Sequence, residues 1–324
     1  MERTCLIVQP IHPIGLEQLR AASLTPRLAT RADMATVARE IGDVTAVITR
    51  SAGLNAAAMD CAPSLRVIGS HGVGVDAIAV DHATALGIPV VNTPEANRAS
   101  VAEHTVALIL GVAKRLVAAD AATRRVDFGF KYNNSLSDIS GKTLGVVGFG
   151  GIGRHLAAMM KSAFSMDILV ASDSAQAVEL KALGYRLAPS LDALLAAADI
   201  VTLHRTLRSA SRALIGAREL RLMKPTAFLI NTARGGLVDE RALSGALSRG
   251  EIAGAGLDVF ENENMSKDNP LLQLPNVLLS PHVAGSTNEA LERTALQLVE
   301  RIVAALAGTP QDVVNPDVWA RRRR

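Results

Sequence analysis

The stretch from residue 143 to 154 constrains the fold of this chain more than any other. It is a short apolar run that passes into glycines at the spacing G-x-G-x-x-G (Gly148, Gly150 and Gly153), and a helical pattern follows up to Phe164. Gly148 permits a tight turn out of a strand, Gly150 lets a pyrophosphate approach the backbone, and Gly153 lets the helix pack closely on the sheet. The helix N-terminus then faces the phosphates. The motif predicts a dinucleotide site on a parallel α/β sheet.

The acid that such a site needs is present at the expected place. A second apolar strand over 168–171 leads to Asp173, which lies 20 residues beyond Gly153. A carboxylate there can accept hydrogen bonds from an adenosine ribose and repels a 2′-phosphate, which favours NAD over NADP. The alternative is that Asp173 only caps a helix predicted over 174–183.

The composition is that of a globular protein with room for two domains: 324 residues, 49% apolar and 20% charged. The net charge is +3, and the last four residues, all arginine, supply four positive charges. This tail could touch nucleic acid or an acidic lipid surface, or it could be a frayed, solvated end. Aromatic residues make up only 3%, and no basic stripe interleaved with aromatics predicts nucleic-acid binding.

Neither a signal peptide nor a membrane span is expected. The most apolar run, 105–113, is far too short to cross a bilayer. The two cysteines, Cys5 and Cys61, lack metal-ligand or redox spacing, which indicates a reducing cytoplasm and no metal. We interpret both as small buried hydrophobes.

The first part of the chain alternates strands and helices, which predicts a parallel sheet of roughly flavodoxin-like order. The predicted strands are 5–8, 46–49, 65–69 and 89–92, and the predicted helices are 14–22, 33–41 and 76–86. Within it, the segment 69–76 (Gly-Ser-His-Gly-Val-Gly-Val-Asp) follows a strand, where glycines expose backbone amides that can hold a small carboxylate. A plain tight turn is the alternative. Arg50 and Ser51 also follow a strand, where they could meet a distal anion.

A turn-rich break at 92–97 precedes a long predicted helix over 100–119, and the segment 124–140 is predicted to be a surface loop. After the glycine motif the alternation resumes, with Ser190 as a helix N-cap and a last helix from Ser286 that begins with a capping-box pattern. We therefore expect two doubly wound α/β domains. The predicted NAD-binding Rossmann domain (100–285) is inserted into a substrate domain (1–99 plus 286–324).

Three polar stations follow predicted strands in the second domain. Arg234, flanked by two glycines, carries a planar fork that suits a carboxylate. Glu261 and Glu263 follow another strand, and His282 follows the next. A carboxylate bonded to an imidazole stabilises its protonated form, which can then give a proton to a carbonyl oxygen. Taken singly, each of these residues could instead be a surface ion pair, a solvated acid or a helix-entry residue.

The order of several motifs resembles the D-isomer-specific 2-hydroxyacid dehydrogenases, closest to short 3-phosphoglycerate dehydrogenases and hydroxypyruvate reductases. The matching pieces are Gly-Val-Gly-Val-Asp at 72–76, Asn-Thr-Pro at 92–94, Ala-Glu-His at 102–104, the glycine motif, Asn-Thr-Ala-Arg-Gly at 231–235, Leu-Asp-Val-Phe at 257–260 and Pro-His at 281–282.

The resemblance implies Arg234, Glu263 and His282 as the catalytic residues, with Arg234 as substrate anchor and His282 as general acid and base. It implies NAD as cofactor, bound by Val73, Gly148, Gly150, Gly151, Ile152, Gly153, Asp173, His204, Arg205, Thr232, Ala233, Arg234, Asp258, His282 and Gly285. It implies a small 2-hydroxy or 2-oxo acid as substrate, bound by Val73, Gly74, Arg234 and His282. From their positions after predicted strands we add Arg50, Ser51, His71 and Gly72 as candidate substrate-binding residues. The resemblance also implies a homodimer joined through the cofactor domains.

Two departures from the family pattern affect the expected site. Asn264 follows Glu263 where the family usually has proline, so we expect a looser loop, and Glu261 competes for the acid role. Arg205 and Thr206 replace a common Thr-Pro pair, which predicts a positive charge near the nicotinamide or the substrate.

These features predict hydride transfer between NAD and a small D-2-hydroxy acid, of the 3-phosphoglycerate, hydroxypyruvate, glyoxylate or sulfonated type. The alternative is a non-catalytic NAD(H)-sensing protein on the same scaffold, of the corepressor kind, which can retain all three stations. A hydrolase of the S-adenosylhomocysteine type lacks support in the first domain.

Overall fold

The computed structural model describes residues 3–207 and 209–323. The chain divides into two compact units, Met1–Asn97 with Gly285–Arg324, and Arg98–Ala284. Each is a parallel sheet covered by helices on both faces, so the predicted fold class is confirmed. No helix in the described part of the chain combines the length and the apolarity that crossing a membrane requires.

The first unit alternates strands with helices and ends in a long helix. Its elements are β1 (Arg3–Ile7), α1 (Pro13–Ala21), β2 (Leu24–Leu28), α2 (Met34–Glu40), β3 (Ala46–Thr49), α3 (Ala56–Asp60), β4 (Val67–Ser70), α4 (Val80–Ala85), β5 (Val90–Val91) and, after the second unit, the helix Asn288–Ala307. The strand order is β2-β1-β3-β4-β5, which is the flavodoxin-like order expected from the sequence.

The last helix belongs to the first unit's core. Leu298 and Ile302 are buried with Cys5, Ile7 and other residues of β1, β3 and β4. It approaches β4 so closely that a Cβ on Gly69 would lie 2.8 Å from Ile302 Cδ1. The helix is capped by Thr287, which accepts from Ala290 N at 3.1 Å. The capping box predicted to start at Ser286 is therefore wrong by one residue.

Three further expectations for this unit are wrong. Strand β2 was not predicted, since it contains Pro26; it is an edge strand, where the missing N–H is tolerated. Cys61 is exposed, whereas Cys5 is buried. The basic tail is not frayed as far as it is described. A 3-10 helix spans Pro316–Arg321, and Arg323 N donates to Gly87 O at 2.8 Å. Arg324 lies outside the described residues.

The second unit is larger. Its elements are α5 (Arg98–Ala113), α6 (Leu116–Arg124), α7 (Phe130–Asn133), β6 (Thr143–Val147), α8 (Gly151–Phe164), β7 (Asp167–Ala171), α9 (Ala177–Ala182), β8 (Arg186–Leu187), α10 (Leu191–Ala197), β9 (Ile200–Leu203), α11 (Ala217–Leu222), β10 (Phe228–Asn231), α12 (Glu240–Ser248), β11 (Gly254–Leu257) and β12 (Val277–Leu279); the last helix described above is α13. The strand order is β12-β11-β10-β9-β6-β7-β8, parallel throughout.

This order reverses direction at β6, whose neighbours are β9 and β7. Helices α5 and α8 pack on one face of the sheet, and α10, α11 and α12 pack on the other. Because ligands of such sheets bind where the strand order reverses, the loop after β6 is the expected position for a dinucleotide.

Local details of the second unit differ from the predictions in three places. The long helix breaks at Arg115, which has φ +48°, and the segment 124–140 contains the short helix α7. Helix α9 begins at Ala177 with Gln176 as its N-cap, so the interpretation of Asp173 as a helix cap is wrong. Ser190 does cap α10, where it accepts from Ala193 N at 3.1 Å.

Candidate active site

The glycine loop forms an open cradle at the N-terminus of α8. Gly148 has φ +93°, and a Cβ there would lie 2.4 Å from His204 O. A Cβ on Gly153 would lie 2.5 Å from Gly148 O, whereas Gly150 faces open space with no atom within 4 Å of its would-be Cβ. Gly150 is also the N-cap of α8 and has no side chain with which to cap Gly151 and Ile152 in the first turn. The N-terminus of this 14-residue helix is therefore open at Gly150, and a helix N-terminus is a position that favours anions.

All other predicted site residues of the second unit follow the carboxyl ends of strands in the same sheet. Because the sheet is parallel, these ends lie along one edge. Asp173 follows β7, His204 and Arg205 follow β9, the residues 232–234 follow β10, Asp258 and Glu263 follow β11, and His282 follows β12.

His282 and Glu263 form a hydrogen-bonded pair at this edge. His282 Nδ1 lies 2.5 Å from Glu263 Oε1, and both side chains are partly exposed. A neutral imidazole that donates from Nδ1 keeps its Nε2 as the acceptor nitrogen, and a protonated one presents Nε2–H. The pair is therefore oriented to exchange a proton at Nε2.

Glu261 makes a different contact. Its Oε1 accepts from Glu240 N at 3.1 Å, at the start of α12. In the loop, Asn262 Oδ1 accepts from Asn264 N at 3.0 Å. This side-chain turn fixes the position where the family usually has proline, and the competing assignment of the acid role to Glu261 has no support.

Asp258 holds the backbone that carries His282. It is fully buried, and its carboxylate accepts from Ser280 Oγ at 2.6 Å, Val283 N at 2.9 Å and Ala284 N at 2.9 Å. His104 Nε2 lies 2.9 Å from Ser280 Oγ; since the Ser280 hydroxyl donates to Asp258, His104 must donate to Ser280. Sequence reasoning gave no role to His104 or Ser280.

The charge of Asp258 is maintained by this network. Burial by itself raises the pKa of Asp258, but the nearby His104 imidazole and the hydrogen bonds of Ser280 and the two amides outweigh it, and the pKa lies below its usual value. His282 itself has φ +54°, a left-handed conformation that is uncommon outside glycine and marks functional sites.

Arg234 lies in a turn that is held by side-chain hydrogen bonds of Asn231. The side chain of Asn231, which is buried, donates to Arg234 O at 2.9 Å and accepts from Ala233 N at 3.0 Å. Thr232 is bonded to Thr105 at 2.9 Å between the hydroxyl oxygens. Asn231 begins the Asn-Thr-Ala-Arg-Gly motif, and the sequence analysis assigns it no role. An asparagine before a glycine-containing turn is nevertheless a signal for a side-chain hydrogen bond to the backbone of the turn.

Asp173 and Arg205 form an ion pair. The guanidinium of Arg205 thus lies at the end of β7, on the acid expected to bind the adenosine ribose. We expected this charge near the nicotinamide or the substrate, but the contact places it beside Asp173. The neighbouring His204 bonds Thr202 at 2.9 Å, and burial lowers its pKa to about 4, so its ring is neutral at pH 7.

The first unit holds the predicted substrate residues at the carboxyl ends of β3 and β4. Arg50 donates to Pro10 O at 2.9 Å, and Ser51 accepts from Gln9 Nε2 at 3.1 Å. Burial, with Arg50 nearby, lowers the pKa of His71 to about 4, so Arg50 supplies the positive charge here. His71 Nε2 is buried without a hydrogen-bond partner among the described residues.

The glycine turn beside His71 has a defined conformation. Gly72 has φ +134°, Val73 O accepts from Asn92 Nδ2 at 2.7 Å, and Gly74 O accepts from Ser70 Oγ at 2.6 Å. Gly285, the first residue of the returning segment, packs so that a Cβ would lie 2.7 Å from Asn97 Nδ2. The structure describes no group of three or more His, Cys, Asp or Glu side chains suited to a metal ion.

The family model for the "D-isomer specific 2-hydroxyacid dehydrogenase, NAD binding domain" matches residues 106–284. The chain belongs to the D-isomer-specific 2-hydroxyacid dehydrogenase family. The matched residues make up most of the second unit of this 2-hydroxyacid dehydrogenase family member and include the glycine loop, so the match identifies this unit as an NAD-binding domain. The resemblance seen in the sequence motifs is thereby confirmed.

The relatives of this 2-hydroxyacid dehydrogenase family member carry the names of more than one enzyme. It is 36% identical over 96% of its length to D-3-phosphoglycerate dehydrogenase of Archaeoglobus fulgidus, and it spans 59% of the length of that relative. It is 44% identical to glyoxylate reductase of Aeropyrum pernix, covering 79% of this chain and 78% of the relative. The structure of the NADPH-dependent glyoxylate/hydroxypyruvate reductase of Sinorhizobium meliloti with NADP and malonate is similar, with a TM-score of 0.88, 32% identity, and coverage of 100% and 99% of the two chains.

Proposed function

We propose that the protein catalyses reversible hydride transfer between NAD and a small D-2-hydroxy acid, with 3-phosphoglycerate, hydroxypyruvate or glyoxylate as the substrate type. The observation that carries this proposal is the His282–Glu263 pair, 2.5 Å apart, at the same sheet edge as the glycine cradle. An NAD(H)-sensing protein on the same scaffold can retain this pair, so measured turnover decides between the two functions.

The residues divide the work according to their chemistry. The nicotinamide ring, when bound, accepts or supplies the hydride. Gly150, with its open backbone, and the first turn of α8 hold the pyrophosphate. Asp173 binds the adenosine ribose, and Thr232 and Asp258 lie on the loops that follow the neighbouring strands β10 and β11.

His282 acts as general acid in reduction and general base in oxidation. Glu263 holds Nδ1, so Nε2 carries the proton that the new alkoxide oxygen receives. Glu263 accepts from Nδ1–H and so keeps the ring in the orientation in which Nε2 can release its proton. Arg234 binds the substrate carboxylate with its planar fork.

We assign the substrate-binding role to the first unit. Arg50 is the cation for a distal phosphate or other anion, and the turn Gly72–Gly74 supplies backbone amides to a carboxylate. His71 is neutral at pH 7 and offers an imidazole nitrogen as a hydrogen-bonding group only. On this basis Arg50 selects between phosphorylated and small substrates.

The assignment of His282 is tested by replacing it with asparagine, which tolerates a left-handed backbone. We expect His282→Asn to lower kcat by about 10²- to 10⁴-fold and to leave NADH binding, measured by nucleotide fluorescence, within about twofold. A screen of ten 2-oxo acids with and without phosphate or sulfonate tails identifies the substrate. Wild-type turnover in the variant contradicts the assignment, and no turnover with any acid favours the NAD-sensing alternative.

We also propose a homodimer joined through the second unit. The segment 116–136 leaves large apolar side chains more than half exposed, namely Leu116, Val117, Val126, Phe128, Tyr132 and Leu136. Beside it, a cavity of about 500 Å³ lies between α5, α6 and the segment 274–278. An apolar surface of this extent is typical of an interface, and a second copy of the chain is its occupant.

Light scattering after size exclusion tests the dimer. Val117→Glu with Phe128→Ser should give a monomer that keeps its circular dichroism spectrum. The experiment is run at roughly 10 µM or above, and a wild-type protein that is monomeric there contradicts the proposal.

We further propose that the protein is located in the cytoplasm, because both cysteines are free thiols.

A further inference from the structure

Arg205 spans the end of the strand that carries the glycine loop. It follows β9, and its guanidinium pairs with Asp173 after β7. These two strands are not neighbours, because β6 lies between them in the sheet. At the base of this span the backbone is tight: a Cβ on Gly148 would lie 3.1 Å from Arg205 N. The side chain therefore crosses over the glycine turn, on the side where the adenosine half of a dinucleotide is expected.

The ion pair changes the chemistry of the ribose-binding acid. An isolated carboxylate repels a 2′-phosphate, and this repulsion is the physical basis for a preference for NAD. A guanidinium that touches the carboxylate cancels most of its charge, and it can itself bind a phosphate through two parallel hydrogen bonds. Asp173 alone predicts rejection of NADP, whereas Asp173 with Arg205 does not.

The pair is accessible and can be exchanged. The side chains of Arg205 and Asp173 are 35% and 79% exposed, and ion pairs at such exposed positions contribute little to stability. Rotation of the guanidinium from the carboxylate to an incoming phosphate is therefore easy. On either side of Asp173, Ser172 and Ser174 place their hydroxyl oxygens 3.3 Å apart, and these hydroxyls can donate further hydrogen bonds to phosphate oxygens.

We propose that Arg205 is a specificity-determining residue for the cofactor, which lets the site accept the 2′-phosphate of NADP(H) in addition to NAD(H). The inference rests on the proposed function only in that the glycine loop binds a dinucleotide. It requires no particular 2-oxo acid, and it concerns the adenosine end of the site.

Titration calorimetry with 2′,5′-ADP and 5′-ADP as probes tests the proposal without turnover. Arg205→Leu is compared with Arg218→Leu, which removes another ion-paired surface arginine, more exposed than Arg205, whose two nitrogens pair with Asp192 at 2.7 and 2.8 Å. We expect the wild type to bind 2′,5′-ADP at least as tightly as 5′-ADP. Arg205→Leu should weaken 2′,5′-ADP by about 10- to 100-fold and 5′-ADP by less than about threefold, and Arg218→Leu should change neither.

Restoring charge balance gives a second test. In the Arg205→Leu background, Asp173→Asn removes the uncompensated carboxylate and should recover part of the lost 2′,5′-ADP affinity. Equal weakening of both probes by Arg205→Leu, or a wild type that binds 2′,5′-ADP about 100-fold more weakly than 5′-ADP, overturns the proposal. Once a substrate is identified, the ratio of kcat/KM for NADH to kcat/KM for NADPH should be about 10- to 100-fold higher in Arg205→Leu than in the wild type. Probe binding as predicted without turnover on any 2-oxo acid would remove the proposed reaction and keep this inference.

Discussion

The carboxylate of Asp258 should contribute more to stability than any exposed acid of the second unit. In Asp258→Ala three donors lose their acceptor, namely Ser280 Oγ and the amides of Val283 and Ala284. Each buried, unsatisfied donor costs about 1–3 kcal/mol, and the Ser280 hydroxyl can turn to another acceptor. We therefore expect a loss of about 3–5 kcal/mol in the free energy of unfolding, the sum of these unsatisfied donors.

The same substitution should reduce activity through His282. Its left-handed backbone, with φ +54°, costs about 1–3 kcal/mol, and the two amides held by Asp258 directly follow it. Without them the backbone can relax and carry the ring away from Glu263. A displacement of about 1 Å is enough to lower kcat by about 100-fold.

Urea unfolding followed by circular dichroism measures the stability, and hydrogen exchange measures the opening of the segment 281–285. Asp239→Ala is the matched control, because Asp239 accepts one bond, from Ala242 N at 2.9 Å, as the N-cap of α12; this cap is worth about 1 kcal/mol. Asp258→Asn keeps the volume and should lose about half as much as Asp258→Ala. Equal losses in Asp258→Ala and Asp239→Ala, with unchanged exchange at 281–285, would refute this account.

Four further predictions concern the rest of the site. Gly150→Ala should keep the melting temperature, since no atom lies within 4 Å of its Cβ, and weaken NADH binding at least about tenfold in calorimetry because the methyl group occupies the phosphate space. Gly148→Ala should instead lower the melting temperature, since its Cβ would lie 2.4 Å from His204 O. Glu263→Gln should lower kcat by about 100-fold at neutral pH in a steady-state assay; an unchanged kcat would exclude the acid role. Burial lowers the pKa of His204 from 6.5 to about 4, so as the pH falls the unfolded state binds a proton before the folded state does, and the free energy of unfolding should fall between pH 6.5 and 4. His204→Gln should make this fall smaller, by at most about 3 kcal/mol. An identical fall in the variant and the wild type would contradict the prediction.

The parts of the fold that were predictable are those set by short-range patterns. The glycine spacing, the alternation of strands and helices, and the cap at Ser190 each depend on a few neighbouring residues. Strand β2 was missed because Pro26 and Arg27 weaken its pattern, and only its position at the sheet edge makes it acceptable. The break at Arg115 was missed because no glycine marks it.

Contacts between distant loops were beyond the sequence. Both Glu261 and Glu263 follow β11, and only the path of the loop gives Glu261 to the start of α12 and Glu263 to His282. The partner of Arg205 could not be deduced either, since Asp173 lies 32 positions away and an intervening strand must be crossed. Motifs identify which residue types are available, whereas loop conformation decides which of them meet.

The return of α13 to the first sheet affects how this chain is made. Leu298 and Ile302 complete a core that begins with Cys5 and Ile7, yet the whole of Arg98–Ala284 is translated in between. On the ribosome the amino-terminal strands must wait with one apolar face covered only in part, by α1, while the middle unit has all of its own core residues and can close first. A nascent chain that stops before Asn288 would therefore leave a half-finished sheet prone to aggregation.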